Sequence, residues 1–410
     1  MMKGLTITAI VLVALVLIGF FVLRPLFRSP DFIRPTGGFG VGTTLLEMFD
    51  PLRNRRLAVR VFYPTDGRQE GPYLPVMDTR VGKAFSKLYR IPAGRGKSAP
   101  SNSVIDTSIS SEGPFPVVLF SHGAFSFAEQ NLSTCEELAS HGYVVLALSH
   151  TGEALLTIFP DGETVSVADD SFLRASMAAS KDDVQTYASQ MKFLAGDASL
   201  EDKHRTYIEL GAGFYHGLEP YLTTRLEDIH FLLDELGTLN NKPSSLFAEA
   251  LDIDSIGMFG HSLGGITASY ICAEQDTPVK AGINLDAPVV LFSQDNITIQ
   301  RPFAFFSSTE SSLGRGITLD LTGANSYYAE TAETEVFSLS YEGAGHYNFS
   351  DFNFMPRILT YTPLLGRVDG LKMAVHLGRT IREFFDYTLR GDTEAFDFEG
   401  NRYHRIRMED

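Results

Sequence analysis

Residues 256–265 read Ile256-Gly257-Met258-Phe259-Gly260-His261-Ser262-Leu263-Gly264-Gly265, and Ile266-Thr267-Ala268-Ser269-Tyr270 continues as a helical stretch. An apolar run delivers the chain to a serine framed by glycines, G-x-S-x-G, and a helix departs from it. A sharp strand-to-helix turn strains the backbone, and side chains at the flanking positions would collide, so the neighbours must be small. The turn then lifts the serine hydroxyl clear of the sheet. As a bare pattern G-x-S-x-G also describes an ordinary glycine turn, but strand and helix stand where the sharper turn needs them. Ser262 is the candidate nucleophile.

Working outward, apolar runs at 117–120, 143–148 and 281–285 join 256–259 and are separated by helical stretches. Continuous apolar strands alternating with helices predict an α/β fold with a mostly parallel sheet covered on both faces. Further strands are expected at 302–306 and 336–340, and 57–63 alternates as a half-buried strand before a loop-rich stretch to about Phe115. One helix places Leu226, Ile229, Leu233 and Leu236 on a common face, and another, from about Gly370 to Leu389, carries Leu377, Ile381 and Phe384 with Gly391 as its stop. Residues 153–224 are too many for a simple crossover. They predict an inserted helical cap, with a helix through Val184, Tyr187, Met191 and Leu194.

Composition bounds the function. The 410 residues hold 34 Lys and Arg against 50 Asp and Glu, a formal charge of −16, without a long basic run. Nucleic-acid binding needs clustered cations on phosphates and is excluded as a class. Two cysteines, Cys135 and Cys272, rule out a disulfide framework or a Cys-rich zinc module. Residues 4–23 carry no charge over about twenty positions, enough at about 1.5 Å per residue to cross roughly 30 Å of hydrocarbon. A cleaved signal sequence would want a small-residue site, whereas Phe20-Phe21-Val22-Leu23-Arg24-Pro25 is bulky and then basic, which favours an uncleaved transmembrane anchor. Pro25, Pro30, Pro35 and the glycines at 37, 38 and 40 make 24–42 a tether. The main domain is expected over 43–395, with a C-terminal tail at 396–410.

A serine hydroxyl needs a base, and the chain has ten histidines. His261 adjoins the nucleophile but should point away from its hydroxyl, and His122 and His150 end predicted strands that precede it. His346 lies in the glycine-rich loop Glu342-Gly343-Ala344-Gly345-His346 after the last expected strand, and the chain order serine, acid, histidine selects it. For the acid, Asp286 ends the strand 281–285, Glu310 follows the next strand, and Asp320 is more distant. Position alone leaves these open. The oxyanion needs preorganised backbone donors: the amide of Leu263 after the nucleophile, and that of Ala124 after Ser121-His122-Gly123. No compact His/Asp/Glu cluster has metal-ligand spacing, so neither metal nor cofactor is expected. Three triplets, at Asn131, Asn296 and Asn348, fit the glycosylation acceptor pattern, which is common by chance.

These residues resemble the α/β-hydrolases of the platelet-activating-factor acetylhydrolase type. The matching pieces are Thr36-Gly37, Val41-Gly42, Arg60-Val61-Phe62-Tyr63-Pro64, Phe120-Ser121-His122-Gly123, Leu138-Ala139-Ser140-His141-Gly142-Tyr143, Gly260-His261-Ser262-Leu263-Gly264-Gly265, Leu285-Asp286-Ala287 and His346-Tyr347-Asn348-Phe349-Ser350-Asp351-Phe352. The glycine-framed serine is common to many hydrolases; the His-x-Asn-Phe-x-Asp-Phe stretch is more specific. The resemblance implies an α/β-hydrolase fold, Asp286 as the acid ahead of Glu310, and Ala124 and Leu263 as oxyanion donors. It also puts Cys135 and Cys272 on opposite faces of the sheet, too far apart for a bridge. The N-terminal span, the insert and the acidic balance lie outside what the resemblance covers.

The expectation is a serine ester hydrolase that releases short or oxidised acyl groups from phospholipid, held to a membrane by one N-terminal helix with its domain on the extracytoplasmic side. A general carboxylesterase acting on soluble esters or polyesters is the alternative. A catalytically silent, anchored binding protein is the reading from another class.

Overall fold

The structure, a computed structural model, describes residues 30–67, 69–89, 99–292, 297–312, 316–355, 365–396 and 403–408. The span expected at 4–23 lies outside the described residues, as do Asn296 and part of the tether. No helix among the described residues is long and apolar enough to cross a membrane.

Fifteen strands are found among these residues: β1 (Gly40–Asp50), β2 (Arg55–Thr65), β3 (Tyr73–Pro75), β4 (Pro100–Ile105), β5 (Phe115–Ser121), β6 (Val144–Ser149), β7 (Leu156–Ile158), β8 (Thr164–Ser166), β9 (Leu251–His261), β10 (Val279–Leu285), β11 (Phe303–Ser308), β12 (Ser311–Ser312), β13 (Thr318–Leu319), β14 (Val336–Tyr341) and β15 (Tyr403–Ile406). Eleven build one sheet in the order β15-β14-β11-β10-β9-β5-β6-β2-β1-β4-β3. From β15 to β6 neighbouring strands run parallel, and β2 turns the sheet antiparallel against β6. The apolar runs became the central strands because a parallel strand covered on both sides has no solvent face to fill with polar residues.

Alternation divides the core. Val117, Leu119, Leu146 and Met258 pack on one face, against Ile229, Leu232 and Leu236 of the helix Glu219–Asn241 and Ile266 of the helix Leu263–Ala273. Val118, Phe120, Val145, Phe259 and Ile283 pack on the other, against Leu138 of the helix Leu132–Ser140 and Leu377, Ile381 and Phe384 of the helix Gly370–Arg390. Cys135 and Cys272 are buried free thiols in these separate cores. In Glu219–Asn241 the buried stripe is rotated from the expected one: Leu226 and Leu233 are half-buried, while Arg225, Asp228 and Leu232 go inside.

Residues 153–224 hold the β7–β8 hairpin and the helices Ser171–Ala178, Lys181–Leu194 and Leu200–Ala212. Ser180 opens the second of these with a capping box to Asp183, and Val184, Tyr187, Met191 and Leu194 are its buried side. Three boundaries differ from expectation. The sheet begins at Gly40, because the glycine-rich end of the tether pairs with Thr65 and Pro64. The stretch before Phe115, read as loop, contains β3, β4 and the helix Thr79–Tyr89. The C-terminal tail supplies β15, whose short run pairs along Ser338–Tyr341.

Register sets the site. Ser121 lies opposite Gly260 and Leu285 opposite His261, so the carboxyl ends of β5, β9 and β10 finish side by side. The turn leaving β9 is closed against its surroundings: a Cβ on Gly264 would sit 1.9 Å from the Ser121 carbonyl oxygen, one on Gly260 2.2 Å from the Gly264 carbonyl carbon, and one on Gly265 2.5 Å from Asn284 Oδ1. Gly264→Ala therefore forces backbone apart and should lower the urea midpoint and the Tm by several degrees. Gly237→Ala, in the helix Glu219–Asn241 with nothing within 4 Å of its added methyl, should instead stabilise by about 0.5–1 kcal/mol. Equal effects of the two substitutions on Tm would contradict this account of the turn.

Candidate active site

Ser262 follows β9 with φ 55° and ψ −122°, a left-handed conformation that costs a non-glycine residue on the order of 1–3 kcal/mol. The strain is held from both sides. Its N–H donates to the Leu285 carbonyl at 2.9 Å, and its own carbonyl accepts from Gly265 and Ile266 at 2.8 and 3.1 Å. The residue opens on a cavity that it shares with Gly123, Ala124, Gln130, His261 and His346.

His346 starts a single 3₁₀ turn after β14, and its Nδ1 donates to Asp286 Oδ2 at 2.8 Å. That bond assigns the ring proton to Nδ1 and leaves the Nε2 lone pair to accept a proton. Asp286 follows β10 directly, also at positive φ, and is buried. Its carboxylate accepts from the Ser308 N–H at 2.6 Å, the Ser308 hydroxyl at 3.0 Å and the Ser311 hydroxyl at 3.2 Å. Burial alone would raise its pKa, but the hydrogen bond and charge of His346 and the Ser308 donors outweigh it and hold the group below its usual range. Glu310 takes another path. Its carboxylate pairs with Arg367, while Asp320 caps its own turn at the Thr322 N–H. Of the three acids considered, Asp286 is the one brought to His346.

The loop after β5 presents Ala124. The Gly123 carbonyl accepts from His122 Nδ1 at 2.7 Å, the Ser126 N–H at 3.2 Å and Arg225 Nη2 at 3.4 Å. Across a trans peptide the N–H points opposite to the carbonyl, so the Ala124 N–H is turned away from these donors, at a residue that lines the cavity. Leu263 is the first residue of its helix, and its N–H has no intrahelical acceptor. The N–H groups of Ala124 and Leu263 thus lie outside the strand and helix ladders, one in the loop after β5 and the other directly after Ser262.

Other neighbours were not legible in advance. Gln130 is buried and accepts from the Gly123 N–H at 2.7 Å while donating to His261 Nδ1 at 2.7 Å; His261 Nε2 donates to the His346 carbonyl at 3.0 Å. Burial first, then the charge of nearby His346, lowers the His261 pKa to about 3, so the ring is neutral. Beneath the loop, the fully buried Arg225 pairs with Glu153 at 2.8 Å and donates to the His122 carbonyl. Charged residues at core spacing, Arg225 and Asp228 among Leu222, Ile229 and Leu232, were the sequence signal for this cluster.

A second serine-histidine-aspartate array lies here: Ser121 Oγ donates to His150 Nε2 at 2.9 Å, and His150 Nδ1 donates to Asp228 Oδ2 at 3.0 Å. Ser121, His150 and Asp228 are sealed from solvent. Burial first, then the charge of Arg225, lowers the His150 pKa to about 4 against the bond to Asp228. No substrate can reach that hydroxyl, and its role is structural. Among the described residues no group of three or more His, Cys, Asp or Glu is arranged to hold a metal ion.

The sequence pattern of the family "Platelet-activating factor acetylhydrolase, isoform II" matches residues 27–200 and 239–375. The chain belongs to that family. Platelet-activating factor acetylhydrolase of Canis lupus familiaris is 24% identical over 340 residues, 80% of this chain and 70% of the relative. That of Bos taurus is 24% identical over 332 residues, 78% and 68% respectively. A solved ferulic acid esterase from Streptomyces cinnamoneus aligns with TM-score 0.63 and 22% identity over 88% of this chain and 94% of its own, and shares the fold.

The acetylhydrolase-family stretch after His346 acts as scaffold. Asn348 Oδ1 accepts from Gly345 and Gly366 N–H at 2.8 and 2.7 Å, and Asn131 Nδ2 donates to the Phe349 carbonyl at 2.8 Å. Asn131 and Asn348 are buried, which excludes both as glycosylation acceptors in the folded chain. Asp351 accepts from the Ser133 N–H at 2.8 Å and from its hydroxyl, in the first turn of Leu132–Ser140. Burial raises its pKa to about 7 against the Ser133 bonds, with the Glu136 charge adding to the rise. A folded pKa above the unfolded value of about 3.9 makes the group's contribution complete below about pH 4 and lost as pH climbs through 7. Wild type should thus lose stability relative to Asp351→Asn between pH 5 and 8. Urea midpoints that keep a constant gap over that range would rule this out.

Proposed function

We propose that Ser262, His346 and Asp286 hydrolyse esters through an acyl-enzyme. Ser262 Oγ attacks the carbonyl carbon as His346 Nε2 takes its proton; the Ala124 and Leu263 amides hold the oxyanion; His346 then protonates the departing alcohol. Water repeats the sequence against the acyl-serine. Asp286 keeps Nε2 as the free ring nitrogen and stabilises the imidazolium. The observation that carries this reading is the 2.8 Å bond between His346 Nδ1 and Asp286 Oδ2 beside a strained serine on the same cavity. Family membership makes the chain a carboxylic ester hydrolase.

For the substrate we infer phospholipid with a short or oxidised acyl group. The cavity is small, and Phe85, Phe125, Tyr347 and Phe352 narrow it with aromatic walls. Phe125 is stacked at 6.4 Å on Phe172 of the cap and meets Tyr221 edge-on at 5.8 Å, so the insert shapes one wall. The apolar stretch 4–23 would hold the domain beside its lipid, on the extracytoplasmic side. A carboxylesterase with broader substrates is the second reading, favoured by the likeness of fold to a ferulic acid esterase.

Ser262→Ala should reduce turnover by a factor on the order of 10⁶ and abolish labelling by a fluorophosphonate. Asp286→Asn should cost at least 10²-fold, while Glu310→Gln keeps wild-type turnover; the reverse ranking would move the acid to Glu310. On phosphatidylcholines the rate should fall steeply as an unoxidised sn-2 chain lengthens from two to eight or more carbons. Equal rates along the series, matched by soluble p-nitrophenyl esters, would select the carboxylesterase reading.

A further inference from the structure

Three loops must be held in register for the proposed chemistry: the one that carries Ala124, the turn that carries Ser262, and the one that carries His346. Gln130 touches the first and, through His261, the third. Its Oε1 accepts from the Gly123 N–H at 2.7 Å, its Nε2 donates to His261 Nδ1 at 2.7 Å, and His261 Nε2 donates to the His346 carbonyl at 3.0 Å. Each link has one geometry. The amide of Gln130 can accept only at oxygen and donate only at nitrogen, so its orientation is fixed by a backbone donor on one side and a ring acceptor on the other. His261 must then carry its proton on Nε2 and be neutral.

We propose that Gln130 and His261 form a positioning relay that locks the oxyanion amide of Ala124 to the backbone of the base, so that both are in place when the tetrahedral intermediate forms. The inference rests on the proposed Ser262 chemistry. Gln130 fixes one peptide before Ala124, on its N–H side; the His122 side chain, Ser126 and Arg225 fix the next, on its carbonyl side. The Gly123 N–H, taken by Gln130, is not available to an oxyanion, which leaves that part to the neighbouring Ala124 N–H. Neither Gln130 nor His261 exchanges a proton with substrate. Their contribution is to transition-state geometry, which appears in kcat and not in KM.

The test compares Gln130→Met, His261→Phe and the double variant in the full chain. Each single substitution should lower kcat roughly 10–100-fold with KM within about threefold. Affinity for a trifluoromethyl ketone, whose hydrate or serine adduct mimics the tetrahedral oxyanion, should fall by the same factor as kcat/KM. Because the two residues act as one chain, the double variant should be no more than about threefold worse than the weaker single. Wild-type kcat in folded Gln130→Met overturns the relay. So does a loss borne by KM with unchanged ketone affinity, or a double variant whose losses multiply. Should none of the three give a cooperative unfolding transition, the contacts serve folding and the relay is likewise overturned. Fluorophosphonate labelling separates this from failure of the underlying reading: wild type that is not labelled at Ser262 sinks the proposed chemistry, whereas labelled wild type with fully active variants sinks only the relay.

Discussion

The constraint on which the rest depends is the approach of the helix Leu263–Ala273 to the end of β5. Gly264 lies so close to the Ser121 carbonyl that a methyl group would come within 1.9 Å of it. That approach sets the separation of two backbone segments whose amides flank one cavity, and it places Ser262 at a conformation few side chains tolerate. Parallel register does the remaining work: Leu285 is opposite His261, so the next residue, Asp286, emerges level with the serine on the neighbouring strand. Loop conformation adds only the delivery of His346.

Two arrays of serine, histidine and aspartate stand near one another, and burial decides which can react. In Ser121–His150–Asp228 hydroxyl, ring and carboxylate are bonded in sequence, yet all three residues are sealed and a guanidinium lies beside the serine hydroxyl at 3.3 Å. A nearby fixed cation disfavours the imidazolium that proton abstraction must create. At His346 the ring is partly exposed, its acid is buried, and Ser262 opens on a cavity. The histidine–aspartate bond is common to both, at 3.0 and 2.8 Å; solvent access separates them.

What the sequence made legible follows from periodicity and from covalent neighbourhood. Apolar runs became β5, β6, β9 and β10 because nothing but burial suits such segments, and the glycines around Ser262 announced a close approach that only glycine permits. Edges were harder. Strand β15 is four residues of Tyr403-His404-Arg405-Ile406, with no apolar run to mark it, and it exists because β14 offers an unpaired edge. The choice among Asp286, Glu310 and Asp320 could not be made from spacing, since each follows or nears a strand end; it depends on which carboxylate the fold turns toward His346. Gln130 escaped notice for a different reason: a single polar residue in a short helical turn reads as solvent-facing unless its buried partners, here a backbone N–H and a histidine ring, are already known.

Those partners converge on a short segment. Gln130 holds the Gly123 amide and the His261 ring, Asn131 holds the Phe349 carbonyl, and Ser133 binds Asp351 through both its amide and its hydroxyl. Residues 130–133 thus tie the Gly123–Ala124 loop, the residue before Ser262 and the loop that carries His346 to the start of one buried helix. Each bond alone is worth about 0.5–1.5 kcal/mol net, but leaving any of these buried groups unpaired would cost about 1–3 kcal/mol. The asymmetry favours a single arrangement. It explains how His346, carried on a glycine-rich loop, can keep a fixed position relative to a serine eighty-four residues earlier in the chain: the loop is flexible by composition and is held rigid by polar contacts to a helix it does not adjoin in sequence.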